Sequence, residues 1–296
     1  MTISLLASRV FVCAVFFLTL VGVSTAHAQS PDPQGGAPPA SAPTGAAASQ
    51  AGADDDAALD VLEPDFSLVN LPTTLRLPRH KGTFHLTHRF SGNLTEGTFS
   101  DQASSLFGLD EGATIGLEYR YAIARHLQAA VHRSSFEKTV QFSGKYDAIH
   151  QGSSAPISVS GLVAIEGKDN FQERFAPSLG LVASRGIADR IALYVSPIWV
   201  HNSAAAIGVD RDTLLIGLGG RARIASTVYL VGEVSPRASG YAPGQVEYGV
   251  GLEKRVGAHV FQLTFTNTFG TTFGQIARGG SSDALYLGFN LTRKFF

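Results

Sequence analysis

Cysteine is nearly missing from this chain: 296 residues contain one, Cys13. A lone thiol excludes an internal disulfide framework and a cysteine-based zinc site. Charge is scarce as well. Asp, Glu, Lys and Arg make up 16% of the residues, and 23 basic residues against 24 acidic ones leave a net charge of −1. That balance gives no electrostatic case for nucleic acid. With 44% hydrophobic residues the chain is too apolar to be disordered throughout. Glycine is in excess, 32 of 296 residues, against a usual share of roughly 7%. Low charge, moderate hydropathy and abundant glycine together suit a membrane β-barrel, where apolar and polar positions alternate and average out.

Residues 1–28 read as a cleaved signal peptide. Arg9 supplies the positive start, and Val10 to Val23 form an apolar run too short to span a bilayer comfortably. Ala26-His27-Ala28 gives the small-x-small cleavage pattern, which leaves Gln29 as the first mature residue and removes Cys13. Residues 29–60 are rich in Ala, Pro, Gly and Ser and carry Asp54, Asp55 and Asp56. They hold too few large apolar groups to offset the entropy of ordering and read as a disordered linker. Residues 61–82 read as a periplasmic lead-in to a barrel at 83–296. No Lys or Arg occurs from Gln29 to Leu75, where seven acidic residues do. From Arg76 onward 22 basic residues face 17 acidic ones, so the near-zero net charge hides an acidic tail on a basic domain.

From Thr83 the pattern has period two. In 113–121, Ala113, Ile115, Leu117, Tyr119 and Tyr121 alternate with Thr114, Gly116, Glu118 and Arg120 without exception. Successive side chains of a strand point to opposite faces, so this is a two-faced strand. Similar windows recur to the C-terminus and give about twelve strands, most of them 9 to 11 residues long. A tilted strand needs that length to cross hydrocarbon. Four tight turns follow Arg120, Arg185, Arg223 and Arg255 and fall on one side. The longer connections (91–110, 167–173, 201–212, 236–244 and 269–282) fall on the other, as in an outer-membrane barrel. Ser135-Phe136 is the exception, a short connection on the long-loop side. A soluble β-sandwich also alternates. Even strand spacing, aromatics near strand ends (Tyr119, Tyr121, Trp199, Phe295) and a polar opposite face favour the barrel. The fold expected is an all-β, antiparallel, up-and-down transmembrane barrel.

Several segments then resemble a family of bacterial membrane β-barrels of unknown function, the DUF5777 type. They are THRFSGN (87–93), GLDEGATIGLEYRYAIARHL (108–127), GKYDAIHQ (144–151), LYVSPIWVHN (193–202), GLGGRARI (217–224), GAHVFQLTFTN (257–267) and GFNLTRKFF (288–296). The resemblance covers roughly 71–296. It implies an exported barrel in the outer membrane and implies no activity. Barrel-insertion machinery commonly reads a final strand ending in an aromatic residue. Phe296 fits, although the apolar phase of the last strand runs into Phe295 instead.

The polar phase carries Arg89, Arg120, Lys145, Arg221, Arg223, Arg237 and Arg255, with Glu118, Glu233, Glu247 and Glu253. These are the candidate lumen-lining residues. Either they pair and plug a narrow barrel, since buried charges need partners, or they form a selectivity filter with a preference for anions. His85 and His88 have H-x-x-H spacing, but on a strand that spacing separates them onto opposite faces, so no metal site is expected. His132 and Ser134 share one face and could serve as base and nucleophile of a lipid hydrolase, with no acid or amide evident beside them to orient the base. Pro177 and Pro197 interrupt neighbouring strands, where a bulge or irregularity is expected. Three functions follow: a narrow channel or solute-binding barrel for small polar or anionic solutes, a closed barrel that docks a partner, and the lipid hydrolase. No cofactor is implied. Expected partners are outer-membrane lipid, the barrel-assembly machinery and a periplasmic protein reached through 29–60; nucleic acid is not among them.

Overall fold

Alternation of this kind needs two different solvents, and the architecture supplies them. The computed structural model describes residues 62–204 and 211–296, so the expected signal peptide and linker lie outside the described residues. The wall begins with β1 (Gly82–Asn93), β2 (Ala113–Ala124), β3 (Leu127–Ser134), β4 (Val140–Ile149), β5 (Ser158–Gly167) and β6 (Glu173–Ile187). It continues with β7 (Ile191–Val200), β8 (Thr213–Ala225), β9 (Val228–Ser235), β10 (Arg237–Gly240), β11 (Glu247–Val256), β12 (His259–Thr266) and β13 (Tyr286–Lys294). Each long strand is antiparallel to its neighbour in sequence. β1 pairs with β13 from Thr83↔Lys294 to Asn93↔Tyr286 and closes the ring. The short β10 continues β9 past Pro236 along the same partner, β8. The wall therefore has twelve strand positions closed into a ring, with only the short β10 paired on one side, and closure is how a sheet satisfies its backbone in lipid.

The outward phase is an apolar belt. Leu117, Tyr119, Val163, Leu179, Leu181, Leu230 and Phe261 are all exposed, Leu179 by 59%. In water such a belt would drive association; in hydrocarbon it is the solvated face. Tyr119, Tyr121 and Phe295 stand outward at one end and Trp199 at the other. His88 is also outward and stacks on Phe289 at 4.9 Å, whereas His85 is buried on the inner face, so the H-x-x-H pair is split as its strand spacing requires.

Short turns gather at one end, here the turn end. They join β2–β3, β6–β7, β8–β9 and β11–β12. Positive φ at His126 (66°), Asp189 (50°) and Gly257 (58°) lets three of them reverse within two or three residues. The opposite, loop end carries 94–112, with helix α1 (Phe99–Ser104), and 267–285, with helix α2 (Phe273–Ala277). Pro177 and Pro197 produce no bulge. The β6–β7 register stays constant from Ser178↔Val200 to Ile187↔Ile191, and only the ladder pairs beside Pro197 are lost. Proline costs a donor there, but its fixed φ suits an extended strand, so the register need not shift.

Candidate functional site: a lumen closed from both ends

The segment read as a periplasmic lead-in runs inside the barrel, which corrects that expectation. From Leu62 to Leu77 nearly every residue is buried, with Leu68, Val69 and Leu71 at 1% exposure or less. The physical reason is composition: four leucines, a valine and a phenylalanine between 62 and 75 need an apolar partner that the acidic linker cannot offer. The segment enters at the turn end, where Leu62 meets Gly186, and climbs to the middle of the lumen. It reverses there and returns to β1 at the same end. The reversal is a tight hairpin with Val69-Asn70 at its tip. Leu68 N donates to Leu71 O (2.8 Å), Thr73 N donates to Phe66 O (3.0 Å), and Ser67 pairs with Pro72.

The tip is held by the wall. The Glu233 carboxylate accepts from three successive amides, Val69 N (2.9 Å), Asn70 N (2.8 Å) and Leu71 N (3.0 Å). Asn70 Nδ2 donates to Glu247 (3.1 Å), and Arg89 donates to Asn70 Oδ1 (3.0 Å) and to Asn290 (2.7 Å). Arg221 Nη2 bridges Ser67 O (2.8 Å) and Glu253 (3.1 Å). Gln262 and Asn290 donate to Leu68 O and Val69 O, both at 2.9 Å. The returning leg is held by Lys145, whose ammonium donates to Thr73 O (3.1 Å) and Leu75 O (2.6 Å) and lies 3.2 Å from Asp147. Each of these buried charged side chains thus has at least one hydrogen-bond partner, as burial demands, although Arg221 Nη1, Glu247 Oε2 and Glu253 Oε1 have none among the described residues.

Glycines on the inner face make the room. A Cβ at Gly217 would lie 2.7 Å from Leu71, one at Gly219 would overlap Leu68, and one at Gly249 would stand 3.2 Å from Val69 Cβ. The apolar side chains of the hairpin fill these recesses and pack on Leu162, Val182, Tyr194, Tyr229 and Val231. Lower down, Phe66, Leu75 and Leu77 close on Ala122 and on Phe296, whose ring belongs to this inner cluster while Phe295 points outward.

The loop end closes separately. Loop 267–285 folds inward, and α2 buries Ile276 and Ala277 on Ala176, Ile198, Val200 and Leu215. Phe273 packs against this cluster and against the one that holds the hairpin's leucines. Gly274 N donates to Glu166 (2.9 Å), Phe273 N to Gln141 (2.9 Å), and Gln275 Nε2 to Phe136 O (3.1 Å). The short Ser135-Phe136 connection is thereby explained: α2 caps it from above, and Glu137 pairs with Arg278 and with Lys168 (2.6 Å). Between the inserts remains a cavity of about 50 Å³, bordered by Asn70, His85, Glu118, Arg120 and His132. That is room for only a few waters.

The remaining candidates occupy varied places. Glu118 and Arg120 pair at 2.8 Å beside the cavity. Arg223 and Arg255 stand half-buried near the turn-end mouth. Arg237 is spent on the loop-end rim, where it donates to Gln245 O (3.0 Å) and Gly244 O. The His132–Ser134 pair is not assembled as base and nucleophile. His132 Nε2 contacts Thr271 Oγ1 (3.1 Å), and Ser134 Oγ accepts from Phe136 N (3.2 Å). An acid does lie beside His132, contrary to the sequence reading: Glu118 Oε2 is 3.7 Å from Nδ1, brought there by cross-strand pairing. The amides of Thr271, Thr272, Phe273 and Gly274 all donate within the protein, so none is left to stabilise an oxyanion. Outside the wall, the Thr98–Asp101 capping box starts α1. Its hydrogen bonds, first of all from the Thr98 backbone N–H, hold the Asp101 carboxyl below its ordinary pKa.

Fold and lumen together define a membrane-spanning β-barrel filled by its own chain. The chain belongs to the DUF5777 family of membrane bound beta barrel domains, whose model matches residues 65–295 and so takes in the hairpin as well as the wall. No curated protein sequence matches. Among solved structures the chain is similar to the KdgM porin (8% identity, 72% of this chain and 99% of that one, TM-score 0.47). It is also similar to the NanC porin (7%, 73% and 99%, 0.46) and to outer membrane protein Omp33 of Acinetobacter baumannii (8%, 73% and 98%, 0.41). At these values the likeness carries neither solute nor mechanism to this chain.

Proposed function

We propose that the protein is an outer-membrane barrel whose lumen is a narrow, gated passage for small polar solutes, anionic ones included. One observation carries the reading. The lumen is shut by two inserts tethered at their ends, while the wall behind the hairpin is polar and charged. The same polar groups that hold the seated hairpin would line a hydrated passage once it withdraws. Withdrawal of the hairpin toward the turn end would expose Arg89, Lys145 and Arg221 together with Glu233, Glu247 and Glu253 to water and give the passage a lining of mixed charge. The signal-like 1–28 segment supports export and, with it, a periplasmic turn end. Residues 29–60 lead directly into the hairpin, so a periplasmic partner that grips this linker would pull on the plug.

The test uses a reversible lock. The Cβ separation of 3.2 Å at Val69 and Gly249 is close to the roughly 3.5–4.5 Å of a disulfide, and Cys13 is the chain's only native cysteine. In planar bilayers the native protein should open in discrete steps. A Val69→Cys/Gly249→Cys protein should be silent when oxidised and conduct after reduction. Conductance unaffected by the lock would place the conducting path outside the hairpin's track and sink the gate. Silence of native and reduced proteins at all voltages would favour the second reading, a permanently closed docking barrel. The apolar packing of Leu68 and Leu71 in the wall's glycine recesses speaks for that reading.

A further inference from the structure

The way the wall holds the hairpin is uneven. Nine hydrogen bonds run from wall side chains to main-chain atoms of 67–75. Glu233 takes three consecutive N–H groups, the arrangement in which a turn's amides form a concave anion-binding nest. Gln262, Asn290, Arg221, Gln128 and Lys145 take the carbonyls. Main-chain N–H and C=O are the same in every peptide. Side-chain demands are fewer: Asn70 is held by Glu247 and Arg89, and recesses at Gly217, Gly219 and Gly249 accept apolar groups through space left by absent Cβ atoms. Backbone read by fixed polar groups, with apolar side chains set into pockets, is how proteins bind peptides.

We infer that the lumen is a peptide-binding site of which residues 62–77 are the resident ligand, and that a peptide in trans with the same reversed, apolar-tipped shape competes for it. The inference does not depend on the pore reading, because a peptide site can exist in a barrel that never conducts. Glu233 fixes the tip, the amides of Gln262 and Asn290 fix the register, and the glycine recesses select aliphatic side chains on either side of the turn.

The exposed turn Arg79–Lys81 joins the ligand to the wall and offers a place to cut. A specific protease sequence inserted there yields a full chain that is nicked on demand, and the uncut protein reports whether the insertion is tolerated. After cutting, a fluorescent synthetic peptide of residues 62–77 should exchange into the barrel and saturate one site. Two further peptides separate main-chain recognition from packing. One is N-methylated at Val69, Asn70 and Leu71, which removes the three donors to Glu233; it should bind at least 100-fold more weakly. The other carries Asp65→Asn and Thr74→Ala, which weakens side-chain bonds to Thr292 and Ser184; it should stay within about tenfold of the native peptide. A cut segment that neither leaves nor exchanges would overturn the inference by making the hairpin a structural insert. A reversed rank of the two modified peptides would overturn it too, because recognition would then lie in side chains.

Discussion

Replacing Glu233 with leucine keeps much of the volume and removes the acceptor for three amides, two of them buried and one half-buried. Each buried N–H left without a partner costs about 1–3 kcal/mol. Even at the lower end, three of them amount to about 3 kcal/mol lost by the seated hairpin, or roughly a 100-fold rise in its unseated population at 1.4 kcal/mol per tenfold. The wall should be untouched, because β9 keeps its ladders to β8 and β11 whatever side chain stands at 233. Hydrogen exchange in detergent micelles reads both quantities at once. Amides 69–71 should lose about two orders of magnitude of protection, while those of β12 and β13 keep theirs. Glu233→Gln, which retains one acceptor oxygen, should fall between. Protection at 69–71 within threefold of native would refute the assignment of Glu233 as the tip's anchor. Loss of protection in wall and hairpin alike would refute the separation of insert from wall.

Other outcomes follow from neighbouring geometry. Gly219→Val should drive Leu68 from its recess, so that a peptide bond near the hairpin tip becomes cleavable by added protease in a chain that still runs as a folded barrel on unheated gels. Arg221→Met strands Glu253 in a buried site and should cost about 3–5 kcal/mol in chemical unfolding; adding Glu253→Gln should recover much of it. A lipid-facing Val250→Arg change should cost about 2–4 kcal/mol if that position lies at the bilayer midplane, and less nearer an interface. The cap of α1 should depend on pH. Because the Asp101 pKa is depressed on folding, its stabilisation is present above the unfolded carboxyl pKa and is lost as pH falls through the folded value. Exchange at amides 101–105 should therefore rise, beyond its intrinsic pH trend, below the usual carboxylate range and stay flat in Asp101→Asn.

What the sequence determined by itself is the wall. Period-two alternation is local: Leu117 faces lipid and Glu118 faces inward because adjacent side chains on a strand must diverge, and that holds before any partner strand is known. The number of strand positions, the sidedness of turns and loops, and the inward phase of Arg89, Lys145, Arg221, Glu233, Glu247 and Glu253 are all consequences of that one rule. What fills the lumen obeys no such rule. Residues 62–77 touch β3, β4, β6, β9, β12 and β13 in turn, so no face of the segment is distinct and no period appears. Their only trace in the sequence is a change of composition at Leu62, from Ala, Pro and Gly to Leu, Val and Phe. Pairing across strands is equally silent: Glu118 meets His132 through the β2–β3 register, and Gln262 meets Asn290 through β12–β13. Inner-face glycines were legible as small positions, but only the tertiary structure shows which leucines they admit. Alternation states which side a residue is on; closure of the ring decides what it meets there.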